Sequence, residues 1–202
     1  MRVKVCGFTR EQDVRDALDA GVDALGFNLA RGPRRIDVAR AAQLAALVPP
    51  LVQAVALFVD AGEDAIMSAV AATRCSAVQL HGDEPPELAE RLRRRVIVIK
   101  AFRIAAAADL ERVRGYPADA YLLDAAVAGA HGGTGTAWDH RLLGGRELGA
   151  PLILAGGLTP ANVAAAAAAV RPWAVDTASG VESAPGVKDA SMMRAFVSAA
   201  HA

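Results

Sequence analysis

Short apolar runs typical of buried strands alternate along this chain with longer segments of helical character. The run Val96-Ile97-Val98-Ile99 is continuously apolar, as expected of a strand covered on both faces of a parallel sheet. The pattern predicts eight strands, which cover residues 2–6, 24–28, 53–58, 77–80, 96–100, 120–123, 151–155 and 174–176.

Helix signals fill the intervals between the predicted strands. Thr9 and Gln12 have the spacing of a capping box, which predicts the start of the first helix, and Gly21 stands where that helix should end. Thr159, which precedes a proline, predicts another N-cap, and the alanine-rich run 164–169 that follows favours a helix. Because helices connect the strands, we expect the strands to pair in parallel.

An alternation of strands and helices is compatible with two α/β architectures, an open doubly wound sheet and a closed barrel. Eight strand–helix units favour the barrel, so we predict a single (β/α)8 TIM barrel domain that spans residues 1–202. Hydrophobic residues make up 53% of the chain, which is ample for one core, and no change in composition marks a domain boundary.

Charge and cysteine content limit the possible partners and indicate the cellular compartment. The chain carries 22 basic and 22 acidic residues, and this balance argues against nucleic acid as a partner. Cys6 and Cys75 match no zinc spacing and are too few for a disulfide framework, so we expect a reduced, cytoplasmic protein without a metal. We find neither a signal peptide nor an apolar run of about 18 residues, and therefore expect no membrane association.

Glycine clusters follow the last two predicted strands. Gly156 and Gly157 come after the seventh strand, and Ser179 and Gly180 come after the eighth. In TIM barrels these two loops commonly bind phosphate, and glycine lets backbone N–H groups approach such a ligand. Ordinary turns would explain either cluster alone, but the two together predict a phosphate site in the loops after strands 7 and 8.

Two residues at strand ends are candidates for acid–base chemistry. Cys6 ends the first strand before a glycine and a predicted helix start, a position that favours a thiolate able to act as a base. A buried, inert cysteine is the alternative, and it is the expectation for Cys75, which precedes the fourth strand. Asp124 ends the sixth strand, where partial burial suits a general acid, although a solvated or helix-capping role is equally open.

Further polar residues follow other strands and are candidates for substrate contacts. Gln79 and His81 come at the end of the fourth strand, and Asp176 ends the eighth. Arg34 or its neighbour Arg35, after the second strand, has the guanidinium needed for a bidentate carboxylate contact. A solvated arginine and a hydrogen-bonded structural histidine are the competing interpretations.

Five segments have the form of known family motifs. The first is Lys4-Val5-Cys6-Gly7-Phe8-Thr9, and the others are 78–84, 122–124 with 132–135, 154–163, and 175–176 with 179–182 and 185–189. In this order they resemble the motifs of the phosphoribosylanthranilate isomerases, whose opening is Lys-Ile-Cys-Gly-Ile-Thr. The similar segments run from residue 3 to residue 189, so the resemblance covers nearly the whole chain.

The resemblance implies an Amadori rearrangement in tryptophan biosynthesis. The substrate would be N-(5-phosphoribosyl)anthranilate, and the product 1-(2-carboxyphenylamino)-1-deoxy-D-ribulose 5-phosphate. By this resemblance Asp124 protonates the furanose ring oxygen, and Cys6 then removes the proton at C2. No metal or organic cofactor is implied, because the substrate nitrogen itself accepts the electrons.

The resemblance also implies the substrate contacts. Pro33-Arg34 matches the family's Ser-Pro-Arg, with Gly32 in place of serine, so Arg34 would hold the anthranilate carboxylate, with Arg35 as the alternative. The implied phosphate ligands are the backbone N–H groups of Gly156, Gly157, Ser179 and Gly180, and the implied substrate-binding side chains are Gln79, His81 and Asp176.

Other functions are less well supported by the strand-end residues. The related isomerase of histidine biosynthesis resembles a pair of aspartates, whereas Cys6 stands at the first strand here. Indole-3-glycerol phosphate synthase uses a lysine with glutamates, and Lys100 ends the fifth strand without such glutamates. A non-catalytic barrel that binds a phosphorylated ligand is a further alternative. Monomer and homodimer are both compatible with the sequence.

Overall fold

The computed structural model of the protein describes residues 1–125 and 148–202, which form a closed barrel of eight parallel strands in chain order. The strands are β1 (Arg2–Cys6), β2 (Ala24–Asn28), β3 (Gln53–Phe58), β4 (Ala77–Leu80), β5 (Ile97–Ile104), β6 (Ala120–Ala125), β7 (Leu152–Ala155) and β8 (Ala174–Thr177). Pairing of β1 with β8, with Val3 opposite Val175, closes the barrel. The predicted (β/α)8 barrel class is thereby confirmed.

The first four strands have the predicted bounds, and the largest difference lies in the fifth. The prediction placed that strand at residues 96–100 and ended it at Lys100. The structure continues β5 to Ile104, since the Lys100 ammonium is buried in an ion pair with Glu84 and does not need solvent.

Within residues 1–125 and 148–202, helices cover the outside of the barrel. They are α1 (Glu11–Asp19), α2 (Val38–Ala45), α3 (Glu63–Thr73), α4 (Pro86–Leu92), α5 (Val163–Val170) and α6 (Ala190–His201), with a 3-10 helix at Ala107–Arg112. A hairpin of two short strands, β9 (Glu182–Ala184) and β10 (Val187–Lys188), follows β8. In the described part of the chain, every helix is too short or too polar to cross a membrane.

Two of the predicted helix starts are wrong, whereas the predicted end of α1 is confirmed. The α1 helix begins at Glu11, because the Thr9 hydroxyl donates to the Gly186 carbonyl and does not cap the helix. The α5 helix begins three residues after Pro160, with Asn162 as its N-cap. Gly21 ends α1 in the left-handed region, at a φ of 81°, as a C′ glycine does.

The strands separate two layers of buried side chains. Val3 and Val5 of β1 pack in the larger layer, between barrel and helices. Small and branched residues such as Val55, Ile99 and Leu122 form the second layer, which fills the barrel interior. Side chains alternate between the two faces of a strand, so the residues next to Val5 on β1 face the interior.

Candidate active site

Cys6 lies at the carboxyl end of β1, on the face that points into the barrel. It is buried, and it stands opposite Gly26 of β2 in the parallel register. A Cβ atom at position 26 would lie 2.6 Å from the Cys6 Sγ, so a glycine is needed there to leave room for the thiol. The packing of β2 therefore determines where the thiol can lie.

The backbone after Cys6 does not form the helix start that was expected to favour the thiolate. The N–H groups of Gly7 and Phe8 both donate to the Gly26 carbonyl, at 2.8 and 3.1 Å. The nearest helix begins only at Glu11. The expectation that a helix start directly supports the thiolate is therefore wrong, because these N–H groups are already bound within the barrel.

Lys4 supplies a positive charge to the interior instead. Its Nζ atom is 2.7 Å from Oδ1 of Asp176 on β8, and both side chains are buried. Burial acts to lower the pKa of Lys4, but the Asp176 carboxylate and the Cys6 thiol together raise it above its ordinary value. Lys4 is thus a permanent cation two positions before Cys6, on the same face of β1.

Asp124, His81 and Gln79 form a chain of side chains across the barrel mouth. The His81 Nε2 atom is 3.7 Å from Oδ2 of Asp124, and the His81 Nδ1 atom is 2.9 Å from Nε2 of Gln79. Because an amide N–H can only donate, Nδ1 accepts this bond and the proton of a neutral His81 resides on Nε2, toward Asp124. Gln79 thereby orients the imidazole.

Gln79 also presents an acceptor that the described residues do not satisfy. Its Oε1 atom is buried and lacks a hydrogen-bond partner among residues 1–125 and 148–202. An unpaired buried oxygen is costly, so such an atom indicates a place for a water molecule or a ligand group.

Arg34 lies beside Cys6, whereas Arg35 points away from it. The Arg34 side chain packs against Gly7, where a Cβ atom would be 2.5 Å from the Arg34 Cδ. Its Nε and Nη2 atoms donate to the two carboxylate oxygens of Glu182, at 2.8 and 2.6 Å. Arg35 is exposed, and its backbone forms a bridge with Asn28. Of the two arginines, Arg34 is therefore the one near the thiol.

The loops after β7 and β8 are in direct contact. A Cβ atom at Gly180 would lie 1.9 Å from the Leu158 carbonyl oxygen, so no residue other than glycine fits. The Thr177 hydroxyl donates to the same carbonyl, at 2.7 Å. Gly156 and Gly157 both have positive φ angles, of 90° and 65°. The two predicted glycine clusters thus lie side by side.

Two sequence features fall outside this geometry. The glycine-rich motif 132–135 of the predicted sixth loop lies outside the described residues. Lys100 lies in the outer layer, where it contacts Glu84 at 2.8 Å and the Gly82 carbonyl at 2.6 Å, so it does not face the barrel interior. Within the described ranges, no group of three or more His, Cys, Asp or Glu side chains is arranged to hold a metal ion.

The family model for N-(5'-phosphoribosyl)anthranilate (PRA) isomerase matches residues 3–199. The chain belongs to this family. The phosphoribosylanthranilate isomerase of Myxococcus xanthus is 48% identical over 206 residues, which cover 99% of this chain and 96% of the relative.

Solved phosphoribosylanthranilate isomerases share the whole architecture. One, in complex with reduced 1-(o-carboxyphenylamino)-1-deoxyribulose 5-phosphate, is 35% identical with a TM-score of 0.91, over 100% of this chain and 98% of that one. Monomers generated from the dimeric enzyme of Thermotoga maritima are 34% identical with a TM-score of 0.90, over the same shares of the two chains.

Three charged residues next to the predicted site were not singled out from the sequence. The sequence does contain a signal for Lys4, since a charge between Val3 and Val5 interrupts an apolar strand at an inward position. Glu182 and Lys188 lie in segments that resemble the family motifs, but charges in a loop are usually solvated, so burial was not expected for them. Their burial becomes visible only when the hairpin is folded against β1.

Proposed function

We propose that this chain isomerises N-(5-phosphoribosyl)anthranilate to 1-(2-carboxyphenylamino)-1-deoxy-D-ribulose 5-phosphate in tryptophan biosynthesis. The observation that carries the proposal is the family match over residues 3–199, within which a thiol and a carboxyl group face the barrel interior at two strand ends. Active sites of TIM barrels lie at the carboxyl ends of the strands.

In the first step of the proposed reaction, Asp124 acts as the general acid. It donates a proton to the furanose ring oxygen, the bond from that oxygen to C1 breaks, and the nitrogen lone pair forms the C1=N bond of a protonated Schiff base. His81, whose Nε2 is 3.7 Å from Asp124, is well placed to contact the freed hydroxyl group.

In the second step, Cys6 acts as the general base. The thiolate takes the proton from C2, and the released electron pair forms the C1=C2 bond while the C=N electrons return to nitrogen. The resulting enolamine loses its hydroxyl proton at C2 and gains one at C1, which produces the ketone. The buried Lys4–Asp176 pair lies next to this base, because Lys4 and Cys6 share one face of β1.

The other residues of the site are assigned to the substrate groups that their chemistry fits. The Arg34 guanidinium matches the carboxylate of the anthranilate ring in shape and charge. Backbone N–H groups in the two touching loops would bind the phosphate, through Gly156, Gly157, Ser179 and Gly180. Gln79, His81 and Asp176 would contact the sugar, and the unpaired Oε1 of Gln79 supports this role.

The test is the loss of anthranilate-type fluorescence from freshly generated phosphoribosylanthranilate. We expect turnover by the wild type and a fall of about 100-fold or more in Cys6→Ser and in Asp124→Asn, because each removes one proton-transfer group. Cys75→Ser is the matched control, since Cys75 is buried away from the site. An inert wild-type protein would contradict the function, and full activity in Cys6→Ser would contradict only the assignment of the base.

We also propose that residues 1–202 form one domain and act in the cytoplasm on a small phosphorylated substrate, without nucleic acid as a partner. A base that works as a free thiol needs reducing surroundings, and both cysteines are free. Oxidation of Cys6 should abolish turnover, and a reductant should restore it. Activity that withstands thiol oxidation would contradict this placement.

We also propose that the protein is a homodimer, as the relative from Thermotoga maritima is named dimeric. Exposed apolar residues at the amino end of the barrel support this proposal. Leu51 is fully exposed with a φ of 74°, and Ile97 and Trp173 are also exposed beside a cavity of about 340 Å³. Apolar side chains around a cavity are typical of protein contacts. We expect Leu51→Lys to be monomeric by sedimentation. A wild-type protein that is already monomeric would contradict the proposal.

A further inference from the structure

The hairpin of β9 and β10 carries two buried charges next to the proposed site. Glu182 and Lys188 stand opposite each other in its antiparallel register. Their side chains are 4% and 0% exposed, and Lys188 Nζ is 2.8 Å from Glu182 Oε1. Charged side chains are rarely this deeply buried unless they are paired and hydrogen-bonded, so the contacts of each need an account.

Lys188 uses all three of its donors. Its ammonium group donates to the Cys6 carbonyl at 2.6 Å, to the Ala178 carbonyl at 2.9 Å, and to Glu182. An ammonium has three N–H groups, and each therefore has one acceptor. Lys188 thus joins the strand of the proposed base, the turn before Ser179, and the carboxylate that contacts Arg34.

Glu182 holds one edge of the Arg34 guanidinium. It accepts from Nε and Nη2 in the bidentate geometry. A guanidinium has a second bidentate edge, formed by Nη1 and Nη2, and no contact is assigned to Nη1 within residues 1–125 and 148–202. That edge has the geometry to receive a second carboxylate.

Glu182 remains ionised in this position. Burial by itself would raise the pKa of Glu182, but hydrogen bonds from Arg34 and Lys188 hold it below its ordinary value. A charged carboxylate binds a guanidinium more strongly than a neutral acid does, so Arg34 is restrained at neutral pH.

The hairpin itself is anchored to the first strand–helix unit. The Thr9 hydroxyl donates to the Gly186 carbonyl at 2.6 Å, and the Lys188 N–H donates to Oδ2 of the buried Asp13 at 3.1 Å. One of these contacts is made by the hairpin turn and the other by β10. The carboxylate of Glu182 is therefore held by a fixed support and not by a free loop.

We propose that Glu182 is a positioning residue that makes Arg34 selective for a substrate with an aromatic carboxylate. It occupies the Nε–Nη2 edge of Arg34 and so directs the Nη1–Nη2 edge toward the ligand, while Lys188 fixes Glu182 relative to Cys6. This inference rests on the proposed function, because it concerns the carboxylate of that substrate.

The experiment measures binding by calorimetry with two probes. The first is reduced 1-(o-carboxyphenylamino)-1-deoxyribulose 5-phosphate, and the second is the same compound without the ring carboxylate. The ratio of their two dissociation constants reports recognition of the carboxylate, separately from the sugar and phosphate. Glu182→Gln keeps the size of the side chain but removes its charge. It also replaces one of the two oxygens that accept from Arg34 with an NH2 group, which can only donate.

We expect the wild type to prefer the carboxylated probe, and Glu182→Gln to lower this preference about 10-fold, mainly through weaker binding of that probe. Glu63→Gln is the matched control, because Glu63 pairs with Arg91 at 2.6 Å on the surface. It should leave the ratio unchanged. Glu182→Asp, whose carboxylate is one methylene shorter, serves as a second variant if Glu182→Gln fails to fold.

An unchanged ratio in a folded Glu182 variant would overturn the inference, as would equal weakening of both probes, which is the sign of a purely structural role. A wild type that binds both probes with no preference would overturn it too. A wild type that binds neither probe would overturn the proposed function itself, and so the two failures are distinguishable.

Discussion

Two buried lysine–carboxylate pairs lie on opposite faces of the same barrel wall. Lys4 and Asp176 are 2.7 Å apart in the interior, whereas Lys100 and Glu84 are 2.8 Å apart in the layer between strands and helices. The four side chains are all at most 10% exposed, so the pairs are alike in distance and burial. They differ in place: the first joins β1 to β8 on the inner face, and the second joins β5 to the loop after β4 on the outer face.

Because they lie on different faces, the two pairs contact different groups. Lys4 shares its face with Cys6, and the thiol is one of the groups that raise the pKa of Lys4. Lys100 binds the Gly82 carbonyl, and Glu84 accepts from the N–H groups of Asp60 and Gly82, so this pair holds the loop after β4 in shape. The alternation of side chains along a strand therefore decides whether a buried charge lies in the barrel interior or in the outer layer.

The largest expected effect is that of Lys4→Met on turnover. We expect a fall of about 100-fold or more, because the change leaves the buried Asp176 carboxylate uncompensated on the barrel face that carries Cys6. The steady-state rate should show this mainly in kcat, since Lys4 lies two positions before Cys6 on β1 and not in the glycine loops after β7 and β8. A rate within about threefold of the wild type would remove the distinction between the two pairs.

Lys100→Met should destabilise the fold with little effect on chemistry. Removal of one partner of a buried pair leaves Glu84 uncompensated, which costs on the order of 3 kcal/mol of unfolding free energy. Urea unfolding of this variant beside Lys4→Met measures the loss, and we expect similar values for both. If Lys100→Met instead abolished turnover in the folded protein, the outer pair would have to be counted with the site.

The smallest effect concerns the alkaline pH dependence of the Lys4 pair. The folded pKa of Lys4 is raised above its ordinary value of 10.5, so its contribution to stability is fully present below 10.5 and is lost as pH rises through the folded value. The difference in unfolding free energy between wild type and Lys4→Met should therefore show no decline from neutral pH to 10.5. A difference that already declines below about pH 9 would indicate that Lys4 is not stabilised in its charged form.

Much of the barrel was predictable, because the residues that make a segment a buried strand are neighbours in the sequence. Continuous apolar runs identified the strands, and the motif Gly156-Gly157 identified the loop after β7. The start of α1 was not predictable, because the Thr9 hydroxyl has two possible partners: it can accept from a nearby helix N–H, or it can donate to the Gly186 carbonyl far along the chain. Packing of the hairpin selects the distant one.

The candidate site shows the same division. Cys6 and Asp124 are visible as strand ends in the sequence, whereas the choice between Arg34 and Arg35 needed the position of Glu182. No local rule links these residues, since Arg34 and Glu182 are 148 positions apart.

The sequence by itself determined the order of strands and helices, the location of the glycine clusters, and the family to which the chain belongs. These properties depend on residue type and spacing. The tertiary structure alone decided which charges meet, because Lys4 reaches Asp176, 172 residues away, only when β8 closes onto β1. Closure of the barrel is a long-range event, and the contacts that it creates leave no trace in local sequence.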